Sequence, residues 1–94
     1  MAAELPPEIQ TLIGQHVVVD TDSSLVYIGV LNAAGSDYLT LSNVDVQEMT
    51  DTGSTKEQYA HEARKLGLRP NRKQTLLRLA RVVSISKLDD VIKF

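Results

Sequence analysis

The sequence predicts a mostly β protein: a small, strongly bent, open barrel of five strands, with an N-terminal helix and a helical insertion between strands 3 and 4. Residues 15–49 predict three closely spaced strands, and residues 75–88 predict two more, because β-branched runs alternate with turn residues. A charged, helix-like stretch over residues 50–74 separates the two groups. This layout indicates a barrel in which one loop is enlarged.

Length and composition restrict the protein to a few classes. A chain of 94 residues predicts one domain over residues 1–94, with room for a single core. The chain has no cysteine, which excludes disulfides, thiolate metal sites and a cysteine nucleophile, and favours an intracellular setting. The first ten residues lack the basic and apolar regions of a signal peptide, and no apolar run approaches the roughly 20 residues that cross a membrane. We predict a cytoplasmic protein without membrane contact.

Charge is separated along the chain. The formal net charge is −2, but residues 1–62 hold ten acids and one base, whereas residues 64–81 hold seven bases and no acid. Those bases are Arg64, Lys65, Arg69, Arg72, Lys73, Arg78 and Arg81. Such a segment can attract a polyanion, or it can contact the acidic face of a second copy of the chain.

The first element predicted is a short helix over residues 5–13. Prolines stand where a helix can begin, Gly14 stands where a helix commonly ends, and Ile9, Leu12 and Ile13 share one face. This helix is expected to pack across an open end of the barrel.

Strands 1 and 2 are predicted as a hairpin. Residues 16–20 form a β-branched run, residues 22–24 supply a turn, and residues 25–31 form a second apolar run. Gly29 interrupts that second run, which predicts a bend, a bulge or a close backbone approach at this position.

Strand 3 is predicted to begin at residues 38–41, to continue to Met49, and to bend at Ser42–Asn43. Strands 4 and 5 are predicted at residues 76–79 and 82–85, joined by a link too short for an ordinary loop, and residues 89–94 form a tail.

The insertion between strands 3 and 4 is predicted to contain one helix. Ser54 and Glu57 fit a capping box at its start, and the helix is expected to run through Leu66 and to stop at Gly67. Its apolar stripe would consist of Tyr59, Ala63 and Leu66.

These elements resemble the Sm/LSm family over about residues 5–88. The architecture of that family is an SH3-like barrel. The first family motif is matched by Val17 and Val19, by the run 29–31 and by the run 39–41. The second motif, an apolar residue, Arg-Gly and two spaced β-branched residues, is similar to the run 77–85, with Leu79 in place of glycine.

The resemblance implies a ring of identical subunits in which strands 4 and 5 of neighbours pair, with an RNA pocket built by an aspartate and an asparagine of the third loop and by the motif arginine. Ala34 stands at the aspartate position and Tyr38 at the asparagine position. The arginine is Arg78 in one register and Arg81 in a register shifted by three residues. Tyr38 either stacks on a base or caps the core with its hydroxyl in water.

The remaining candidate RNA contacts are Arg69, Arg72 and Lys73. Their charge suits nucleic-acid phosphates, and it suits equally a solvated loop or an ion-pair patch between subunits.

No pattern in the sequence indicates catalysis. Glu57 and His61 are four residues apart on the predicted helix, a spacing common on exposed helices, and no second ligand pair accompanies them. We therefore predict no enzyme, no metal and no cofactor. The function predicted is a ring-forming subunit that binds single-stranded RNA or another polyanion; the alternative is a scaffold that keeps the fold without binding RNA.

Overall fold

The computed structural model describes residues 7–49 and 55–92. The elements in chain order are α1 (Pro7–Gln10), β1 (His16–Thr21), β2 (Leu25–Ala34), β3 (Tyr38–Glu48), α2 (Lys56–Leu66), β4 (Arg72–Arg78), a 3₁₀ link (Leu79–Arg81), β5 (Val82–Lys87) and a C-terminal 3₁₀ turn (Leu88–Asp90). The mostly β class and a helix between strands 3 and 4 are confirmed.

All five strands belong to one antiparallel sheet in the order β4-β3-β2-β1-β5. The first and last strands of that order, β4 and β5, do not pair with each other, so the sheet is an open barrel with two free edges.

The bend in the sheet lies at Gly29. Ile28 pairs with Asp45 and Val30 pairs with Ser42, so Gly29 faces two residues of β3 and forms a bulge. Asn43, one of those two, has φ 50°. A Cβ on residue 29 would lie 2.9 Å from the Ser42 carbonyl oxygen. The predicted bend at Ser42–Asn43 and the predicted close approach at Gly29 are therefore one feature.

The main core lies on one face of the sheet. Alternate residues of β1 and β3 point into it, as expected for strands with one buried face. Its buried members are Val17, Val19, Leu31, Leu39, Leu41, Val44 and Leu77.

A second cluster lies on the opposite face, where α2 packs. It consists of Val26, Ile28, Ala63 and Leu88, with Tyr59 among its half-buried neighbours. The expectation of a single core was therefore wrong, because α2 covers apolar residues of β2 that a bare barrel would leave exposed. Lys56, at the start of α2, fixes this placement by donating to the Asp20 carboxylate and to the carbonyls of Thr21 and Ser23.

The α2 helix begins one residue later than predicted. Thr55 is the N-cap: its side chain accepts from the Gln58 amide at 3.0 Å, and the Gln58 side chain accepts from the Thr55 amide at 2.9 Å. The capping box is therefore Thr55/Gln58 and not Ser54/Glu57; Ser54 lies outside the described residues. The predicted end is confirmed, since Gly67 with φ 91° follows Leu66.

The predicted apolar stripe of α2 is confirmed for Ala63 and Tyr59, which belong to the second cluster, and is wrong for Leu66, which is 77% exposed. Ala60 is buried in addition.

Three other elements differ from their predicted extents. In the described residues the N-terminal helix is a single turn, Pro7–Gln10, followed by turns up to Gly14, whose amide donates to the Leu31 carbonyl at 2.7 Å. Strand β4 begins at Arg72 rather than at residue 75, because pairing with β3 outweighs its polar composition. Residues 88–90 form a 3₁₀ turn with Leu88 buried, and the last two residues of the predicted tail lie outside the described part of the chain.

Candidate nucleic-acid interface

A cavity of about 370 Å³ opens where the β2–β3 loop meets the β4–β5 link. Its lining residues come from these two loops and the strand ends beside them: Ser36, Asp37, Tyr38, Arg78, Leu79 and Ala80. We refer to it below as the loop cavity.

The sheet itself brings the two halves of the loop cavity together. Tyr38 is the first residue of β3 and Arg78 the last of β4, and the two are direct partners across the antiparallel pair. The Leu79 amide donates to the Asp37 carbonyl at 2.8 Å, and the Gly35 amide donates to the Tyr38 carbonyl at 2.9 Å. Backbone hydrogen bonds therefore hold both loops in place without using the side chains of Asp37, Tyr38 or Arg78.

Tyr38 is 44% exposed and is not among the residues packed against either apolar cluster. Of the two interpretations of this tyrosine, the geometry favours an available ring over a cap on the core. Arg78 beside it is also exposed. An aromatic plane next to a guanidinium can stack on a nucleobase and contact a phosphate or a base edge.

Arg81 has a different environment. Its Nε donates to the Asp22 carboxylate at 2.7 Å, and its carbonyl accepts from the Asp22 amide at 3.0 Å. Arg81 thus ties the β4–β5 link to the turn between β1 and β2. Of the two candidate arginines, the structure places Arg78 beside Tyr38.

Ala34 ends β2, is half-buried and packs against the main core, so it does not replace a carboxylate. The acid of this loop is instead Asp37, which sequence reasoning missed together with Ser36. The family motif expects its acid at position 34 and gives no signal for Asp37. The signal that could have revealed them is local: polar turn residues directly before an aromatic residue at a strand start.

The basic residues Arg69, Arg72 and Lys73 lie away from the loop cavity. Arg72 pairs with Val44 at one end of β4, whereas Arg78 pairs with Tyr38 at the other end. Six residues of strand separate these ends by roughly 20 Å. The predicted RNA contacts therefore form two separate groups within one subunit.

A second cavity, of about 410 Å³, lies between α2 and β3. Its lining includes Asp45, Tyr59, Leu66, Met49 and Arg69. Asp45 is 5% exposed, and its carboxylate accepts from the Gln47 side chain at 3.0 Å and from the Arg69 amide at 3.3 Å. Both oxygens therefore have donors, and they anchor the chain that leaves α2.

Tyr59 donates its hydroxyl to the Asp45 carbonyl at 3.2 Å. Burial raises the pKa of Tyr59 far above its usual range, and the hydrogen bond and negative charge of Asp45 raise it further. The neutral phenol is thus part of the packing that holds α2 on the sheet.

The pair considered for a metal does not gather further ligands. The Nδ1 atom of His61 lies 3.3 Å from the Ile92 carbonyl oxygen. Across residues 7–49 and 55–92, no three histidine, aspartate or glutamate side chains form a group that could hold a metal ion. In the same ranges, no helix has the length and apolarity needed to cross a membrane.

Comparison with known proteins identifies the fold. No protein-family model matches the sequence, and no curated protein is similar to it. Among solved structures, the chain is similar to the Sm protein of Pyrococcus abyssii in complex with a uridine heptamer. The TM-score is 0.58 at 14% identity, over 89% of this chain and 99% of that one. The protein therefore has an Sm-like fold, with a sequence that diverges strongly from that neighbour.

Proposed function

We propose that the protein is an Sm-like subunit that assembles into a homo-oligomeric ring and binds single-stranded RNA through the loop cavity, without catalysing a reaction. The observation that carries this proposal is the pairing of an exposed Tyr38 with Arg78 across the β3–β4 ends. The neighbouring Sm protein holds a uridine heptamer, which supports RNA as the class of ligand.

The chemistry of the loop cavity suits an unpaired strand better than a duplex. Bases of single-stranded RNA can leave their stack and lie on an aromatic side chain, which contributes roughly 1–3 kcal/mol per base. Arg78 supplies a permanent positive charge beside that ring.

The two free edges of the sheet support assembly. Leu76 on β4 is 63% exposed and Val83 on β5 is 65% exposed. An edge strand with exposed apolar side chains is a template for pairing with another chain, and a closed ring would remove both edges of every subunit.

In this proposal Arg69, Arg72 and Lys73 form a second, less specific contact to phosphates. Basic side chains on an exposed strand end displace counterions without discriminating between bases.

The competing function is a protein scaffold that keeps the fold. Two observations favour it: Ala34 and Tyr38 stand where the resemblance expects an aspartate and an asparagine, and Leu66 is exposed at the rim of the cavity under α2. A scaffold of this kind would bind no RNA.

The deciding experiment is fluorescence anisotropy with short labelled RNAs at several salt concentrations, from about 50 mM upward, where the electrostatic contribution is strong. Tyr38→Ala should weaken binding with little change in its salt dependence, and Arg78→Ala should affect both. The matched control is Lys65→Ala, an exposed cation on α2 outside the loop cavity. If the wild-type protein binds no RNA at about 50 mM salt, the RNA proposal is wrong and the scaffold function takes its place.

A further inference from the structure

The loop cavity contains a carboxylate whose role is not explained by the fold. Within residues 7–49 and 55–92, the Asp37 side chain makes no hydrogen bond and no ion pair, although its backbone carbonyl accepts from Leu79. Asp37 is exposed and directly precedes Tyr38. Asp37, Tyr38 and Arg78 all line the loop cavity, so a ligand stacked on the Tyr38 ring would lie near both a carboxylate and a guanidinium.

A carboxylate is selective among nucleobases because, when ionised, it accepts hydrogen bonds and donates none. Guanine is the base whose Watson–Crick edge presents two adjacent donors, N1–H and the N2 amino group, which match the two oxygens of a carboxylate. Adenine and cytosine each present one amino group beside an acceptor nitrogen. Uracil presents a single N–H between two carbonyl oxygens, which would face Asp37 unfavourably.

The other side of a guanine suits Arg78. The O6 and N7 atoms of guanine are both acceptors, and an arginine side chain donates to them through two parallel N–H groups. A guanine stacked on Tyr38 could thus donate to Asp37 and accept from Arg78 at the same time.

We infer that the loop cavity prefers guanine over the other three bases, with Asp37 as the residue that sets the preference. This inference rests on the proposed RNA binding at the same site. The expected base, guanine, differs from the uridine bound by the structural neighbour. The reason is the Asp37 carboxylate, which lines the cavity next to Tyr38.

The test uses heptamers of uridine in which the central base is guanine, hypoxanthine, adenine, cytosine or uracil. A single central guanine avoids the aggregation of G-rich strands. The guanine heptamer should bind the wild-type protein at least about fivefold more tightly than the uracil heptamer, the lower end of the range for a good bidentate pair. Hypoxanthine, which lacks the N2 amino group, should lie between guanine and uracil.

Asp37→Asn is the decisive variant because the amide keeps the size of the side chain and replaces one acceptor by a donor. It should reduce the preference for guanine over uracil to about twofold or less, while binding of the all-uridine heptamer is kept or improved. The control is Glu57→Gln, an exposed acid in the first turn of α2 outside the loop cavity, which should leave every ratio unchanged. Circular dichroism spectra of both variants should match the wild type, since the Asp37 side chain supports no contact of the fold.

The outcomes separate the two proposals. Equal binding of all five heptamers, tighter binding of uracil, or an unchanged preference in Asp37→Asn would overturn the guanine inference and leave RNA binding intact. Failure of every heptamer to bind would overturn both.

Discussion

At the scale of single residues, Gly29 supports the bend on which the whole sheet depends. Gly29→Ala places a Cβ 2.9 Å from the Ser42 carbonyl oxygen and 3.2 Å from Val44, and backbone cannot yield as a flexible side chain would. We expect a loss of about 1–3 kcal/mol in the free energy of unfolding, measured by denaturant titration.

Gly35→Ala is the matched control, because the nearest atom to its Cβ would be 3.7 Å away, an ordinary contact. It should change the free energy of unfolding by no more than about 0.5 kcal/mol. An equal loss in the free energy of unfolding at the two glycines would show that the bend does not require a residue without a side chain.

Tyr59 predicts an alkaline limit to stability. Burial raises its pKa in the folded protein, whereas in the unfolded chain the phenol loses its proton near pH 10. As the pH rises through about 10, deprotonation stabilises only the unfolded state, so the free energy of unfolding should fall. The slope of the free energy of unfolding against pH should stay below roughly 1.4 kcal/mol per pH unit, the value for the release of one full proton.

The matched variant is Tyr59→Phe, which loses the hydrogen bond to the Asp45 carbonyl at neutral pH but has no phenol to ionise. Denaturant titrations at pH 8, 9, 10 and 11 should show the gap between wild type and variant narrowing with pH. A constant gap would contradict this role for Tyr59.

A residue pattern predicted Gly29, a glycine inside an apolar strand, and the family resemblance singled out Tyr38 by placing it at the asparagine position. Neither the pattern nor the resemblance indicated Asp37, because Asp37 joins Arg78 in one cavity only when β4 brings Arg78 beside Tyr38. They also left Arg78 and Arg81 equivalent, since only the folded chain shows that Arg81 is paired with Asp22.

At the scale of elements, the start of α2 is the clearest test. Thr55→Ala removes the acceptor of the Gln58 amide and should cost about 1 kcal/mol, seen as lower helix content and a lower free energy of unfolding. Ser54→Ala is the control and should cost much less, because the cap is formed by Thr55. A larger loss of stability in Ser54→Ala than in Thr55→Ala would show that the capping box is formed by Ser54 and Glu57.

Element types were easier to predict than the contacts they make. Periodicity and capping residues predicted α2 and the packing of Tyr59 and Ala63, but not that Ala60 would be buried while Leu66 is exposed, because that depends on how the helix lies on β2. The sequence alone does not show that α2 packs on β2. Its packing on Val26 and Ile28 means that removing it would expose a buried apolar cluster.

At the scale of the whole molecule, the bent five-stranded sheet was predictable because alternation, turn residues and Gly29 all indicate the same topology. The location of the charges was not. The basic stretch is divided between the exit from α2, the start of β4 and the loop cavity, since β4 runs antiparallel to β3 and carries Arg72 and Arg78 to opposite ends.

Assembly adds a further consequence of the free edges. If β4 of one subunit pairs antiparallel with β5 of the next, the start of β4 lies beside the end of β5, close to the C-terminal 3₁₀ turn. Arg72 and Lys73 of one subunit would then face Asp89 and Asp90 of the neighbour, an ion-pair contact that is the alternative to their proposed contact with phosphates. Light scattering should therefore show a multimer of the 10.4 kDa chain that weakens as salt rises. A monomer at micromolar concentration in low salt would contradict the ring.

Val83 allows the proposed ring to be tested without unfolding the subunit. The β1–β5 register passes from Val82 to Ser84 across an irregularity, so Val83 has no partner on β1, and its side chain is exposed. Proline is tolerated on edge strands and at bulges, but it removes the amide that a neighbouring strand would use. Val83→Pro should thus remain folded by circular dichroism and scatter light as a monomer, whereas Val83→Thr, which keeps the amide, should remain a multimer. Unfolding of Val83→Pro would show that the amide serves the subunit's own sheet, and a multimer of Val83→Pro would show that β5 is not the contact between subunits.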